Sequence, residues 1–241
     1  MAANNTKNIA LLTAGGTATR MGQNIPKQFL HIHDKPILIY TLEAFQRHPS
    51  IDAIIVAGLE NWIDVIWAYA NQFDITKLKW VVKGGATGQQ SIYNALCELK
   101  KHCSPDDLVL VHDGNRPMVS NEIITDSLLI CKQQGSAVAG IPCTEVVYRK
   151  NENAEPLNVP REELVRTQTP HTYPLSKLLW AHHEAQQRGL TNTAASCDLM
   201  HHLGEKIYFS KGEEKNIKIT TLEDMEIFKS LLNTKRSEWL K

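Results

Sequence analysis

The 241-residue sequence lacks a charge of one sign: lysine and arginine total 26, and so do aspartate and glutamate. A neutral chain has no long-range field to draw it to nucleic acid or to an anionic membrane, so an anionic ligand must meet a local cluster of cations. No apolar run approaches the ~18 residues of a membrane span. Neither nucleic acid nor a membrane is therefore expected as a partner. Cysteines are few and odd in number, namely Cys97, Cys103, Cys131, Cys143 and Cys197, with no C-x-x-C pair. That excludes an obvious disulfide framework and fits reduced thiols in the cytoplasm. Met1 to Lys7 is short and polar, without the apolar stretch of a secretory signal. There is no internal repeat and no low-complexity tract. Neither G-x-x-x-x-G-K-[ST] nor G-x-G-x-x-G spacing occurs.

What is present is an ordinary globular composition, 42% hydrophobic and 22% charged, enough for one large α/β domain spanning the chain. Short apolar runs predict strands at Asn8–Thr13, Ile51–Leu59, Lys79–Lys83, Leu108–His112, Ala137–Pro142 and Lys206–Ser210. Helical spacing of apolar residues predicts helices at Lys35–Arg47, Asn61–Phe73, Ser91–Lys101, Asn121–Gln134, Leu175–Arg188, Ala194–Leu203 and Thr221–Leu232, the last opened by a capping-box-like Thr221 and Asp224. The alternation implies a Rossmann-like, doubly wound, mainly parallel sheet with helices on both faces. The pattern breaks at Thr144–Val159, which is polar and aperiodic, and which reads as a protruding arm or long hairpin (residues 144–160).

Ligands of such sheets bind beyond the carboxyl ends of the strands, so the loops there carry the functional reading. The first is Ala14-Gly15-Gly16 with Arg20 and Lys27 following. Small residues admit backbone N–H groups to a phosphate, and the cations add charge. A glycine turn with two solvated cations is the alternative. The second is Gly84-Gly85 followed by Ser91, where Ser91 caps a helix or contacts a ligand, capping being favoured. The third is His112-Asp113-Gly114-Asn115-Arg116-Pro117. Its carboxylate suits Mg²⁺, which takes one or two carboxylates plus phosphates, or else pairs with Arg116 to hold the loop. The fourth is Asn216 to Thr220, from which Lys218 could reach a phosphate.

The ordered motifs AGG-x-x-x-RMG-x(3)-PKQFL, GG-x(5)-S, HD-x-x-RP, QTP and NIKIT-x-x-ED, running from about Ile9 to Leu232, resemble the methylerythritol phosphate cytidylyltransferase family. That family includes the ribitol-5-phosphate cytidylyltransferases, to which the AGG-x-x-x-RMG and QTP forms are slightly nearer. The resemblance implies CTP as co-substrate, Mg²⁺, release of pyrophosphate, and a homodimer whose arm reaches the partner's site. By the same resemblance Ala14, Gly15 and Gly16 wrap the nucleotide. Arg20 and Lys27 hold the triphosphate, Gly85 and Ser91 read cytosine, and Asp113, beside Gly114, holds the metal. Arg161, Thr169 and Lys218 hold the acceptor phosphate, Arg161 reaching in from the partner subunit.

Several positions depart from the family pattern. Gly88 replaces an arginine and Ala18 a glycine. Gly114-Asn115 replaces two small apolar residues, and Glu145-Val146 an Asp-Thr pair. Thr191 to Cys197 lacks an expected aspartate. Because these cluster on the acceptor side, the expectation is an acceptor that is neither methylerythritol phosphate nor securely ribitol phosphate, and a different sugar or polyol phosphate destined for a surface polymer would fit. A paralogue that only binds nucleotide, or an enzyme using another NTP, are the rival readings. The histidine pairs His31/His33, His182/His183 and His201/His202 have no companion ligands at zinc spacing and read as solvated or structural. Trp62 and Trp67 read as core.

Overall fold

The computed structural model describes residues 6–16, 25–150 and 156–234. Its elements run β1 (Asn8–Ala14), β2 (His31–Ile32), β3 (Lys35–Pro36), α1 (Ile37–Arg47), β4 (Ala53–Gly58), α2 (Ile63–Gln72), β5 (Leu78–Lys83), α3 (Gly88–Leu99), β6 (Leu108–Asp113), α4 (Asn121–Gln134) and β7 (Ala137–Pro142). There follow β8 (Val147–Arg149), β9 (Leu157–Val159), β10 (Val165–Pro174), α5 (Leu175–Gln187), α6 (Ser196–His202), β11 (Phe209–Lys211) and α7 (Leu222–Asn233). The principal sheet has seven strands in the order β11-β7-β10-β6-β1-β4-β5. All pairings are parallel except those of β10, which runs antiparallel to both β6 and β7.

The uninterrupted apolar runs are a consequence of burial on both faces. Along β1, Ala10 and Leu12 pack toward α1, α2 and α4, whereas Ile9 and Leu11 pack toward α3, α5 and α6. In β4 the same alternation sends Ile54 and Val56 one way and Ile55 and Ala57 the other, and in β6 it divides Leu110 from Val109 and Val111. Each such Ile, Val or Leu contributes roughly 1.5–3 kcal/mol through burial. The helices begin where sequence chemistry dictates. Ser120 and Thr87 accept the backbone N–H groups of Ile123 and Gln90, and Thr221 with Asp224 forms the expected capping box. Gly135, at φ 80°, ends α4 in the left-handed conformation that favours glycine.

Three points of comparison with the sequence reading matter. The first is β10, a central strand that the apolar pattern does not reveal. Its Arg166, Thr167, Gln168 and Thr169 are polar, Pro170 interrupts it, and its register shifts between Thr167 and His171. Two of its buried polar side chains find specific partners instead: Thr172 Oγ1 lies 2.6 Å from Ser127 Oγ, and Gln168 Nε2 donates to the Glu213 carbonyl at 2.9 Å. The second is that Lys35 and Pro36 belong to a small hairpin with His31 and Ile32, not to α1. The third concerns the arm, which is the expected hairpin: β8 pairs with β9 from Val147↔Val159 to Arg149↔Leu157, and Val146, Tyr148 and Leu157 are exposed on it. All five cysteines are free. Among the described residues no helix is long and apolar enough to cross a membrane.

Two glycines separate close packing from open space. A Cβ on Gly114 would stand 2.8 Å from the Thr13 carbonyl oxygen, because the chain leaving β6 folds back on the end of β1. A Cβ on Gly88 would meet nothing within 4 Å. Gly114→Ala should therefore cost about 2 kcal/mol or more in urea unfolding. Gly88→Ala, at the start of a helix, should stabilise by about 0.5–1 kcal/mol. Equal midpoints for the two variants would contradict this packing.

Candidate active site

The carboxyl ends of β1, β5 and β6, with the Thr167–His171 part of the antiparallel β10, open into one crevice of about 640 Å³, a volume suited to a nucleotide-sized ligand. Its first wall is the turn after β1. Gly15 and Gly16 line it. The Lys27 stem lies over Gly16, with Cε 3.2 Å from where a Cβ would stand. Gln28, 1% exposed, donates from Nε2 to the Ala14 carbonyl at 2.5 Å and so fastens the Lys27 turn to the strand end. Ala14 itself is buried behind the wall.

The second wall is the β5–α3 loop. Thr87, not Ser91, is the helix cap. Ser91 lies within the first turns of α3, accepts the Gly85 N–H at 3.0 Å and donates to the Thr87 carbonyl at 2.9 Å. Gly85 has no room for a side chain, since a Cβ would lie 2.1 Å from Gln90 Cγ. Gln89 ties this helix to the loop before α6. Its Nε2 donates to the Leu190 carbonyl at 2.6 Å, and its Oε1 accepts the Thr193 N–H at 2.8 Å.

The third wall is an ion network. Asp113 Oδ1 lies 2.9 Å from Lys218 Nζ, and Oδ2 lies 3.0 Å from Arg116 Nε. Of the two readings of this loop, the Asp–Arg pair is present, and Lys218 joins it. Burial alone would raise the Asp113 pKa, but the Lys218 ammonium and Arg116 guanidinium outweigh it and hold the carboxyl well below the usual range. Arg116 also donates to the Asn216 carbonyl at 2.7 Å. Asn216 Nδ2 donates to the Thr169 carbonyl at 2.9 Å. Thr169 Oγ1 accepts the Asp113 N–H at 3.1 Å and lies 3.0 Å from His112 Nδ1. Gly114 backs this wall against Thr13. Asn115, one of the departures from the family pattern, fastens the loop to the segment before α7. Its Nδ2 donates to the Ile219 carbonyl, and its own carbonyl accepts the Ile219 N–H at 2.9 Å.

The structure thus brings Gly15, Gly16, Lys27, Gly85, Ser91, Asp113, Thr169 and Lys218 around one space. Arg20 and Ala18 lie outside the described residues. Arg161 is not part of the crevice of its own chain. It sits in the turn after the arm, where its guanidinium contacts Glu162 and the Thr144 carbonyl and faces a second hollow lined by Val146 and Asn158. Sequence reasoning missed Gln28, Gln89, Gln168 and Asn216, whose polar side chains give no signal apart from their fold partners. It also set aside His182, which is 3% exposed and lines the crevice. Asp113 is the one carboxylate among the lining residues, and among the described residues no group of three or more His, Cys, Asp or Glu could hold a metal.

A small-residue turn with an overlying lysine, facing a Lys–Asp–Arg network across the carboxyl edge of a parallel sheet, defines an α/β protein of the nucleotidyl-transfer class. Comparison with known proteins agrees. The family model for 2-C-methyl-D-erythritol 4-phosphate cytidylyltransferase (IspD) matches residues 8–234. The ribitol-5-phosphate cytidylyltransferase of Lacticaseibacillus paracasei is 41% identical over 229 residues, covering 94% of this chain and 98% of that protein. The 2-C-methyl-D-erythritol 4-phosphate cytidylyltransferase of Clostridium botulinum is 35% identical over 227 residues, covering 94% and 97%. The crystal structure of 4-diphosphocytidyl-2C-methyl-D-erythritol synthase from Anaerococcus prevotii superposes with a TM-score of 0.80 at 23% identity, covering 95% of this chain and 99% of that one, a likeness of fold. The chain belongs to the IspD family of cytidylyltransferases.

Burial pushes His182 down to about 4, so it is neutral in the native state at pH 7, whereas in the unfolded chain it titrates near 6.5. Stability from keeping it neutral is complete above about pH 6.5 and is lost as the pH falls toward 4. Thermal unfolding should show the parent losing stability from pH 7 to pH 5 more steeply than His182→Gln, by about 1 kcal/mol per pH unit. Parallel profiles would show that the ring is not held neutral.

Proposed function

We propose that this protein transfers CMP from CTP to ribitol 5-phosphate and releases pyrophosphate. The observation that carries this is the placing of Lys27 over Gly16 on one side of the crevice and of Lys218 and Arg116 on Asp113 at the other. One cation thereby serves a triphosphate and the others an acceptor phosphate, with a reacting phosphorus between them. A phosphate monoester is already an anionic nucleophile, so in-line attack on the α-phosphorus needs positioning and charge neutralisation rather than a strong base. His112 and His171 beside Asp113, each held down to about 4 by burial, are neutral and add no competing charge.

In this reading Gly15 and Gly16 offer backbone N–H groups to the triphosphate, Lys27 and Arg20 neutralise it, and Gly85 with Ser91 contacts the base. Lys218 leaves one oxygen of Asp113 to meet the acceptor phosphate, aided by Thr169. The lone crevice carboxylate fits Mg²⁺ only as a single protein ligand to an ion carried on the triphosphate. When bound there, the ion would spread the charge developing on the phosphates. The exposed Val146, Tyr148 and Leu157 of the arm support a homodimer in which a second copy covers them and Arg161 enters the partner's crevice. Free cysteines support a cytoplasmic setting.

The relatives support ribitol 5-phosphate over methylerythritol phosphate and over a third acceptor. The matches from Lacticaseibacillus paracasei and Vibrio parahaemolyticus, at 41% and 38% identity, carry ribitol-5-phosphate in their names. The bonds of Asn115 to Ile219 support a packing role for at least one departure from the family pattern. Pyrophosphate release with CTP and Mg²⁺ should occur with ribitol 5-phosphate. Lys27→Ala and Lys218→Ala should each lower kcat/KM by about 10²–10³. A preference for methylerythritol 4-phosphate in the same panel would overturn the acceptor, and no release with any polyol phosphate would overturn the reaction.

A further inference from the structure

Among the described residues, three buried polar atoms of crevice-lining side chains have no hydrogen-bond partner: His171 Nε2, His182 Nε2 and Ser196 Oγ. Their residues are 2%, 3% and 3% exposed. They come from β10, α5 and the start of α6, three elements with no local reason to converge. Native proteins rarely leave such atoms unpaired, and each orphan costs about 1–3 kcal/mol unless a ligand or water satisfies it. The wall between them is apolar, formed by Ile92, Val111 and Leu199.

The chemistry of these atoms narrows the occupant. The unpartnered Nε2 of each ring can accept from or donate to a hydroxyl, according to its tautomer. Both histidines are neutral, pushed down to about 4 by burial, and the His182 ring stacks on Tyr93 at 5.7 Å, which holds its orientation. Neutral rings and a hydroxyl do not make a phosphate site, since the crevice cations lie elsewhere, at Lys27, Arg116 and Lys218. They suit a neutral chain with hydroxyls on some atoms and C–H groups on others. His171 lies two residues along β10 from Thr169, which shares the Asp113 network. A chain whose phosphate sits at Lys218 and Thr169 can therefore run inward past His171.

We propose that His171, His182 and Ser196 form a subsite for the hydroxyl-bearing chain of the acceptor and select its length. The inference rests on the polyol phosphate reading above and assigns the part of that acceptor that the cations do not touch.

The test compares the parent with Ser196→Ala, which removes one oxygen, and with His182→Leu. Steady-state kinetics would use ribitol 5-phosphate and erythritol 4-phosphate, which is shorter by one carbinol unit. Each variant should raise KM for ribitol 5-phosphate about tenfold, leave KM for CTP unchanged, and have a much smaller effect on the shorter acceptor. Unchanged KM for ribitol 5-phosphate would mean that water satisfies these atoms. A raised KM for CTP would make this the base site, and an equal penalty on both acceptors would indicate a general loss of packing; each of these outcomes overturns the proposal. If the parent itself releases no pyrophosphate with any polyol phosphate, the reaction reading falls and takes the subsite with it. That outcome is read from the parent alone and is distinct from a failure confined to the variants.

Discussion

The site depends on Asp113 holding two cations at once. The carboxylate sits at the end of a fully buried strand, where an unpaired charge would be costly, and Lys218 and Arg116 are what make its ionised form tenable. The consequence reaches beyond the pair. Lys218 belongs to the segment before the last helix, so this one carboxylate fixes where the C-terminal part of the chain crosses the crevice. Arg116 continues the tie to the Asn216 backbone, and Asn216 to Thr169. Three stretches remote in sequence are thereby held within one hydrogen-bonded network.

That network also sets the electrostatic character of the crevice. One carboxylate against two cations leaves a net positive wall, and Lys27 stands on the other side of the space. In a chain with no net charge, attraction for phosphate is confined to this place. Such confinement suits a reaction whose barrier falls mainly by gathering and neutralising anionic oxygens. The neutral histidines extend the same division. Where burial strips His171 and His182 of charge, the wall becomes suited to hydroxyls rather than phosphates.

Much of the fold was legible in the sequence. Buried parallel strands read as apolar runs, and amphipathic helices read by their spacing and, for the last one, by its cap, as Thr221 illustrates. The hairpin arm was legible as the one stretch where both periods failed. The strand β10 was not legible, because much of it is polar, and its Thr172, Gln168 and Thr169 meet Ser127, Glu213 and His112, partners that adjacency in sequence cannot suggest. Ser91 was misread for a related reason: a serine near a helix start resembles a cap, and only the path of the loop shows that Thr87 takes that role while Ser91 holds Gly85.

The sequence by itself determined which chemistry is carried: glycines after β1 and β5, Lys27, Asp113 and Lys218 in loops that follow strands, and the motif order of a cytidylyltransferase family. These are local signals, set by the backbone freedom of glycine and by the charge of individual side chains. Only the tertiary structure decided which of them meet. It joined Lys218 to Asp113 across 105 residues, left Arg161 outside the crevice of its own chain, and placed His182 in a buried wall. Those outcomes follow from the way the sheet is wound, since strand order sets which loops become neighbours, and no period or motif in the sequence encodes that order.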